Sequence, residues 1–502
     1  MTGKPMTQSV LTAFAIAVLP WAGTAAAASA ASVAQQDPRA AEAEAALRKS
    51  EDALRANPAL AGGQRVRAEA LEALQRWSDA AAAYRLAIAQ DPADAESIIG
   101  LARMQRRGGQ YDQAISLLDT LLVVGPNERA LFDRALTYGA AKQPEKALAD
   151  YDRLIAARPF AAALYNRGWI FAKREDHPKA IADFERALAL DPKDLDTFNA
   201  LGSALLAAGR HEEALARYSA ALAQSSDNAE ALIGVADANY NLERWPTAVL
   251  AYRAALKSDP GNAALIVMEG RALENAGDNK GAVAAYDAAL RLDPSSAEAW
   301  RRRAAVHASE GRNDLALTDY GKAIALDPKN AALLVSRSFI HRAEGRRPQA
   351  VADVEAALKI EPDLPFALNA MGLLHKGEED HDEAIAAFSK AIASDPEMEA
   401  AYFNRANAYL ALGRYDRAIR DFNSSLRLAP KDPVTLSAKG EAYRLMGDDL
   451  RAVEEFGMAI RQDPDNAAVY LRRAQAYESL GDNTASETDR GTALKLDPNS
   501  EL

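Results

Sequence analysis

Residues Tyr402–Pro430 read YFNRANAYLALGRYDRAIRDFNSSLRLAP. Tyr402, Ala406 and Tyr409, then Ala418 and Phe422, follow one another at intervals of three or four, the spacing of a helix face that faces a core. Gly413 separates the two periodic runs and Pro430 closes the second. The stretch predicts an amphipathic helix, a short turn, a second amphipathic helix and a proline stop.

The same unit recurs along the chain, and the terminator proline keeps its time. It falls at Pro58, Pro92, Pro126, Pro159 and Pro192, is replaced once by Ser226, and resumes from Pro260 through Pro294, Pro328, Pro362, Pro396, Pro430 and Pro464 to Pro498. The step is 34 residues except for 33 into Pro159 and into Pro192. With the terminator counted as position 32, position 20 is alanine in twelve of thirteen units, Ser486 being the exception. Position 24 is aromatic in ten, as at Tyr84, Tyr151, Phe184 and Phe456, and position 8 is always Gly, Ala or Ser. A small residue allows close helix approach, an aromatic supplies the knob that fills the gap, and a glycine near position 15 suits a helix end with positive φ. Proline then stops the second helix and restrains the residue before it. Period and pattern together resemble the tetratricopeptide repeat family, with thirteen units over about residues 60–498. The resemblance implies an all-α, right-handed superhelical solenoid of helix-turn-helix repeats, long enough for at least one superhelical turn.

Composition agrees with a packed helical protein. Hydrophobic residues make up 49% but aromatics only 7%, so the apolar share is largely alanine, the best helix former. Residues 1–31 differ: Lys4, an apolar run from Val10 to Trp21 and an alanine-rich tail read as a cleaved secretory signal peptide. The competing reading, an uncleaved anchor, suffers from Pro20 and the weakly apolar tail. Removing one basic and no acidic residue takes the net charge from −12 to −13, which disfavours nucleic acid and anionic membranes as partners. There is no cysteine, so thiol chemistry, disulfides and a lipid-modified N-terminal cysteine are excluded, and an oxidising compartment is congenial. The expected location is secreted or periplasmic, in a bacterium, with no integral span in the mature chain. A linker is expected at 32–37, a capping helix at 38–58 with Ala46 and Ala53 inward, the solenoid at 59–498 and a tail at 499–502. Ser486 and Arg490 are expected to give the last unit a polar face, as a terminal repeat requires.

Charged columns invite a ligand reading. Position 7 is basic at Arg134, Arg167, Arg303, Arg337, Arg405, Lys439 and Arg473, and position 23 of the same units is acidic at Asp150, Asp183, Asp319, Asp353, Asp421, Glu455 and Asp489. Where position 7 is not basic, at Leu101, Leu201, Val235, Glu269 and Met371, position 23 is not acidic, at Leu117, Arg217, Ala251, Ala285 and Ala387; only Arg67, facing Ala83, lacks a partner within its unit. The covariation predicts internal ion pairs within each unit. Histidine would be the group of choice for metal or proton transfer, but His307, His341 and His375 occupy position 11, where other units carry tyrosine. His177, His211 and His381 occupy position 17, another aromatic slot. Packing is the reading for all six, and no metal or cofactor is expected. No phosphate loop, dinucleotide fingerprint, nucleophile elbow or metalloprotease motif occurs, so the chain is not expected to be an enzyme.

What remains is the concave face that the resemblance implies, lined by first helices at positions 2, 5, 6, 9, 12 and 13. Carried over unit by unit, it holds an aromatic patch of Phe132, Leu136, Tyr165, Asn166 and Trp169. A basic zone follows at Arg301 and Arg302, with Arg342 and Lys376 near it. Phe339, Phe366 and Phe403 lie beside Asn369, Asn404 and Asn407. Aromatics make desolvated anchors, and asparagine can hold an extended peptide's amides. The clamp with which some family members hold acidic chaperone tails needs lysine at position 5 with asparagine at 9; Asn407 is preceded by Phe403 and followed in the next unit by Ala438. The expected function is a non-catalytic scaffold or adaptor of the periplasm or envelope that binds protein or peptide segments in its groove. The alternative is a periplasmic, chaperone-like carrier of unfolded chains or small ligands.

Overall fold

The structure, a computed structural model, describes residues 38–498; the expected leader (1–31), linker (32–37) and tail (499–502) lie outside them. Among the described residues there are twenty-seven helices and no strand. They form two compact units that divide between Ser258 and Asp259. Each is a stack of helical hairpins such as Glu399–Ala411 with Tyr415–Leu428. Within each unit, every second helix also packs on the first helix of the next hairpin. Most first helices of neighbouring hairpins touch as well, so they share one face.

The repeated residues have the roles their size dictates. All twelve alanines at position 20 are fully buried, Ala80, Ala214 and Ala418 among them. Beside them sit the large side chains Tyr84, Phe184, Tyr252, Phe388 and Phe422, each at most 1% exposed. Burying one such ring contributes roughly 1.5–3 kcal/mol. The ring of Tyr218 shows why the slot opposite must be small: a Cβ on Gly202 would lie 2.6 Å from it, and one on Gly234 of the next hairpin 2.3 Å.

Position 15 is left-handed in every hairpin. Gly413 (φ 65) and Gly447 (φ 85) are at ease there, but Gln75, Lys142, Glu175, Glu243 and Glu379 hold φ between 57 and 64 without being glycine. The turn geometry thus outranks the local preference of the residue. The two 33-residue steps also have a place. The links Val124 to Glu128 and Ala157 to Ala161 are each one residue shorter than a link such as Gln90 to Ala95. The single helix Pro38–Ala56 buries Ala43, Leu47, Ser50 and Leu54. Ala46 and Ala53, expected to face inward, flank that stripe half-buried.

Candidate functional site

The charged columns come together between the helices of each hairpin. Arg134 makes a two-pronged contact with Asp150 at 2.8 and 2.7 Å, Arg167 with Asp183 at 2.7 Å twice, and Arg303 with Asp319 at 2.7 and 2.8 Å. Arg337 meets Asp353, Arg405 meets Asp421 at 2.7 and 2.8 Å, Lys439 meets Glu455 at 2.6 Å, and Arg473 meets Asp489 at 2.7 Å twice. The carboxylates are buried. Hydrogen bonds to Asp421 hold the Arg405 guanidinium above its ordinary value.

A third partner escaped the sequence reading. The remaining arm of the arginine reaches back to the preceding hairpin: Arg134 to Asp119, Arg167 to Asp152, Arg303 to Asp287, and Arg405 to the Ser389 hydroxyl at 2.9 Å. All four partners occupy position 25. Arg67 finds its carboxylate there too, with Nε 3.5 Å from Glu51 on the single N-terminal helix, so it is not unpartnered. The signal lay in the sequence, one unit earlier than the covariation was sought.

On the first-helix face, Tyr165 and Trp169 meet edge to face, with ring centroids 6.3 Å apart, and both rest on Phe184 at 5.9 and 6.2 Å. Phe132 packs edge-on against Tyr151 and Phe160, and Leu136 is half-buried nearby in sequence. The patch is the outer layer of the core as well as a surface. The indole Nε1–H of Trp169 is buried, with the Tyr165 hydroxyl as its polar neighbour. Asn166 spends its amide on the Ala162 carbonyl.

The expected basic zone is neutralised. Glu298 accepts from Arg301 at 2.7 Å and from Arg302 at 2.8 Å, and Glu274 lies 3.8 Å from Arg302. One turn of helix separates Glu298 from both arginines, which is why they pair. Arg342 is exposed, and burial lowers the Lys376 ammonium below its ordinary value. Farther along, Asn404 donates to Asn369 Oδ1 at 3.0 Å, and Asn407 to the Phe403 carbonyl. Phe403 leans on Phe422, Phe339 packs against its local core, and Phe366 stands 47% exposed.

The position-24 rings also reach this face. The hydroxyls of Tyr84, Tyr252 and Tyr286 donate to Glu72, Asp237 and Glu274, all on first helices. Burial and the neighbouring carboxylate push the Tyr84 and Tyr286 phenols well up. Phenylalanine in the same slot, as at Phe184 and Phe422, offers no such bond. At these three hairpins the ring's hydroxyl ties down an acid on the face above it.

His307 and His341 lie 3.8 and 3.9 Å from Asp319 and Asp353, the carboxylates of their own hairpins' ion pairs. In the same slot Tyr138 and Tyr409 stack against Arg134 and Arg405. Burial lowers both imidazoles below their ordinary value. Among the described residues no three metal-binding side chains gather.

Sequence profiles described as tetratricopeptide repeat match residues 71–137, 129–160 and 161–194. Further matches cover 199–263, 267–331, 369–433 and 438–501, so together they span well over half the chain. Among solved structures, the Cut9–Hcn1 hetero-tetramer of the APC/C is 16% identical and covers 87% of this chain and 93% of that one, with a TM-score of 0.42. Yeast Tom70 is 15% identical, covers 74% and 92%, and scores 0.40. PilW, a type IV pilus biogenesis factor, is 22% identical, covers 41% and 95%, and scores 0.39. Among curated proteins none matches the sequence. With TM-scores this low, the family assignment rests on the sequence profiles. The chain belongs to the tetratricopeptide repeat family.

Proposed function

We propose that the chain is a non-catalytic interaction scaffold of the bacterial periplasm or cell envelope that binds protein segments along its first-helix face. The tetratricopeptide fold supports a protein-binding role. The observation that carries the choice of site is the half-buried Tyr165–Trp169 ring pair, packed edge to face with the phenol and indole N–H turned to each other. Paired half-buried aromatic rings are the kind of desolvated anchor on which a bound segment's affinity concentrates. Around them the charged columns are already consumed by ion pairs, so the off-pattern aromatics and asparagines are what a partner meets.

Export is supported by the composition of residues 1–31 and the absence of cysteine. No helix of the described residues is long and apolar enough to cross a membrane. Cell fractionation with N-terminal sequencing of the purified chain tests this half of the reading; an intact Met1 in the cytoplasmic fraction sinks it.

For the site, a photo-crosslinker at Asn166, half-buried one turn from Trp169, should capture a defined partner in cells. The control position is Glu185, exposed on the second helix of that hairpin. Equal capture from both positions removes the assignment. Tyr165→Ala with Trp169→Ala should abolish capture, read beside a melting curve because both rings support Phe184. One stoichiometric product indicates a scaffold, whereas a ladder of weak products indicates the chaperone-like carrier.

A further inference from the structure

One edge of the second unit breaks the pattern of its neighbours. Position 14, where the first helix gives way to the turn, is Glu310, Glu344 and Glu378 in three successive hairpins, and then Leu412, Met446 and Leu480 in the next three. These three side chains are 36, 37 and 41% exposed, and Leu450 beside them is 69% exposed. Met446 is shared by the depressions along this edge. One of about 380 Å³ opens toward Leu450 and Leu480, and one of about 260 Å³ opens toward Arg414, Arg417 and Arg420.

The charges flanking this row are opposite at its two ends. Leu412–Arg420 carries three arginines and one aspartate, while Leu480–Thr488 carries Asp482 and Glu487 and no base. Arg414 is held by Asp382. Arg417 stacks on Tyr409 and Arg420 donates to the Asp416 carbonyl; both are exposed, and among the described residues neither is paired with a carboxylate. At the other end, Asp482 caps its own helix and Glu487 is exposed.

An apolar row symmetric about its centre, with charge antisymmetric about the same point, is complementary to itself under a two-fold rotation. We propose that this edge pairs with the same edge of a second copy of the chain. The two-fold axis passes near Met446, so that Leu412 meets the partner's Leu480 and the Arg417/Arg420 end meets the Asp482/Glu487 end. Methionine at the axis suits a surface that must pack against itself, because its unbranched side chain adapts.

Sedimentation of the purified chain tests this. The parent should show twice the monomer mass at high concentration, weakening with salt as steered ionic contacts do, and Leu450→Glu should sediment as a monomer. The discriminating arm uses two charge variants, Arg417→Glu with Arg420→Glu, and Thr484→Lys with Glu487→Lys. Each should be monomeric alone, since its own ends now repel, and the two mixed should form a heterodimer. All altered positions are exposed, and unchanged melting curves confirm folding. A parent that stays monomeric at every concentration overturns the proposal, as does a dimer indifferent to these substitutions. A mixture that remains monomeric overturns the two-fold pairing.

Discussion

Removing the Asp421 carboxylate is the sharpest test of what the charged columns do. Asp421 accepts two bonds from Arg405, and the two side chains are 10 and 18% exposed. In Asp421→Ala the guanidinium keeps the Ser389 hydroxyl at 2.9 Å and the rings of Tyr402 and Tyr409, 5.9 and 6.0 Å away. Breaking a buried pair on one side costs about 3–5 kcal/mol; the retained contacts place this case at the lower end, about 3 kcal/mol. Removing both charges with Arg405→Met and Asp421→Leu should cost less than the single change, because no uncompensated ion is left behind. Hydrogen exchange is the assay of choice, since a repeat array opens locally and a single global melting point blurs the effect. Amides of Glu399–Leu428 and their neighbours should exchange faster in Asp421→Ala, while crosslinking from Asn166 persists. A loss below about 1 kcal/mol, the value of an exposed pair, refutes the reasoning. A double variant worse than the single refutes it equally.

Lys142 holds φ 57 and a left-handed non-glycine residue costs about 1–2 kcal/mol, so Lys142→Gly should raise the melting temperature; no change would show the turn to be unstrained. Gly202→Ala puts a Cβ 2.6 Å from the Tyr218 ring and should destabilise by about 1–3 kcal/mol. Gly139→Ala, in a helix with nothing within 4 Å, should instead stabilise by up to about 1 kcal/mol. His307 and His341 have their imidazoles pushed below 6.5 by burial. The unfolded chain therefore binds those protons first, and stability present above pH 6.5 should fall as pH drops toward the folded values. His307→Tyr, which places there the residue other hairpins carry, should flatten that decline in urea titrations at successive pH values.

Much of this architecture was legible because packing slots constrain size, and size can be read from one chain when it repeats. Alanine at position 20 and the ring at 24 are such cases. The intra-hairpin ion pairs were legible as well, since both columns varied together. What stayed hidden needed a neighbour. Asp119, Asp152 and Asp287 belong to one unit and serve the arginine of the next, so a comparison confined within units passes them by. Arg301 and Arg302 looked free because their slots were read across the repeat, while Glu298 neutralises them along the helix. Left-handed turns at Lys142 or Glu175 were invisible because the surrounding hairpin imposes them.

The same distinction bears on where a partner can bind. At Tyr84, Tyr252 and Tyr286 the position-24 hydroxyl reaches the first-helix face and engages an acid there. Those acids are thereby spent on the scaffold, and a ligand competing for them must displace a buried phenol. Phenylalanine in that slot makes no demand. Above Phe184 and Phe422 the face carries Tyr165, Trp169 and Phe403, rings with nothing polar fixed beneath them. Where the position-24 hydroxyl bonds an acid, that stretch of the face is self-satisfied; above Phe184 and Phe422 contact area is still on offer. Phe184→Tyr tests the point: a hydroxyl placed beneath Tyr165 and Trp169 should weaken partner capture from Asn166 even where the hairpin folds normally. Undiminished capture would mean that the ring beneath the face does not govern what binds above it.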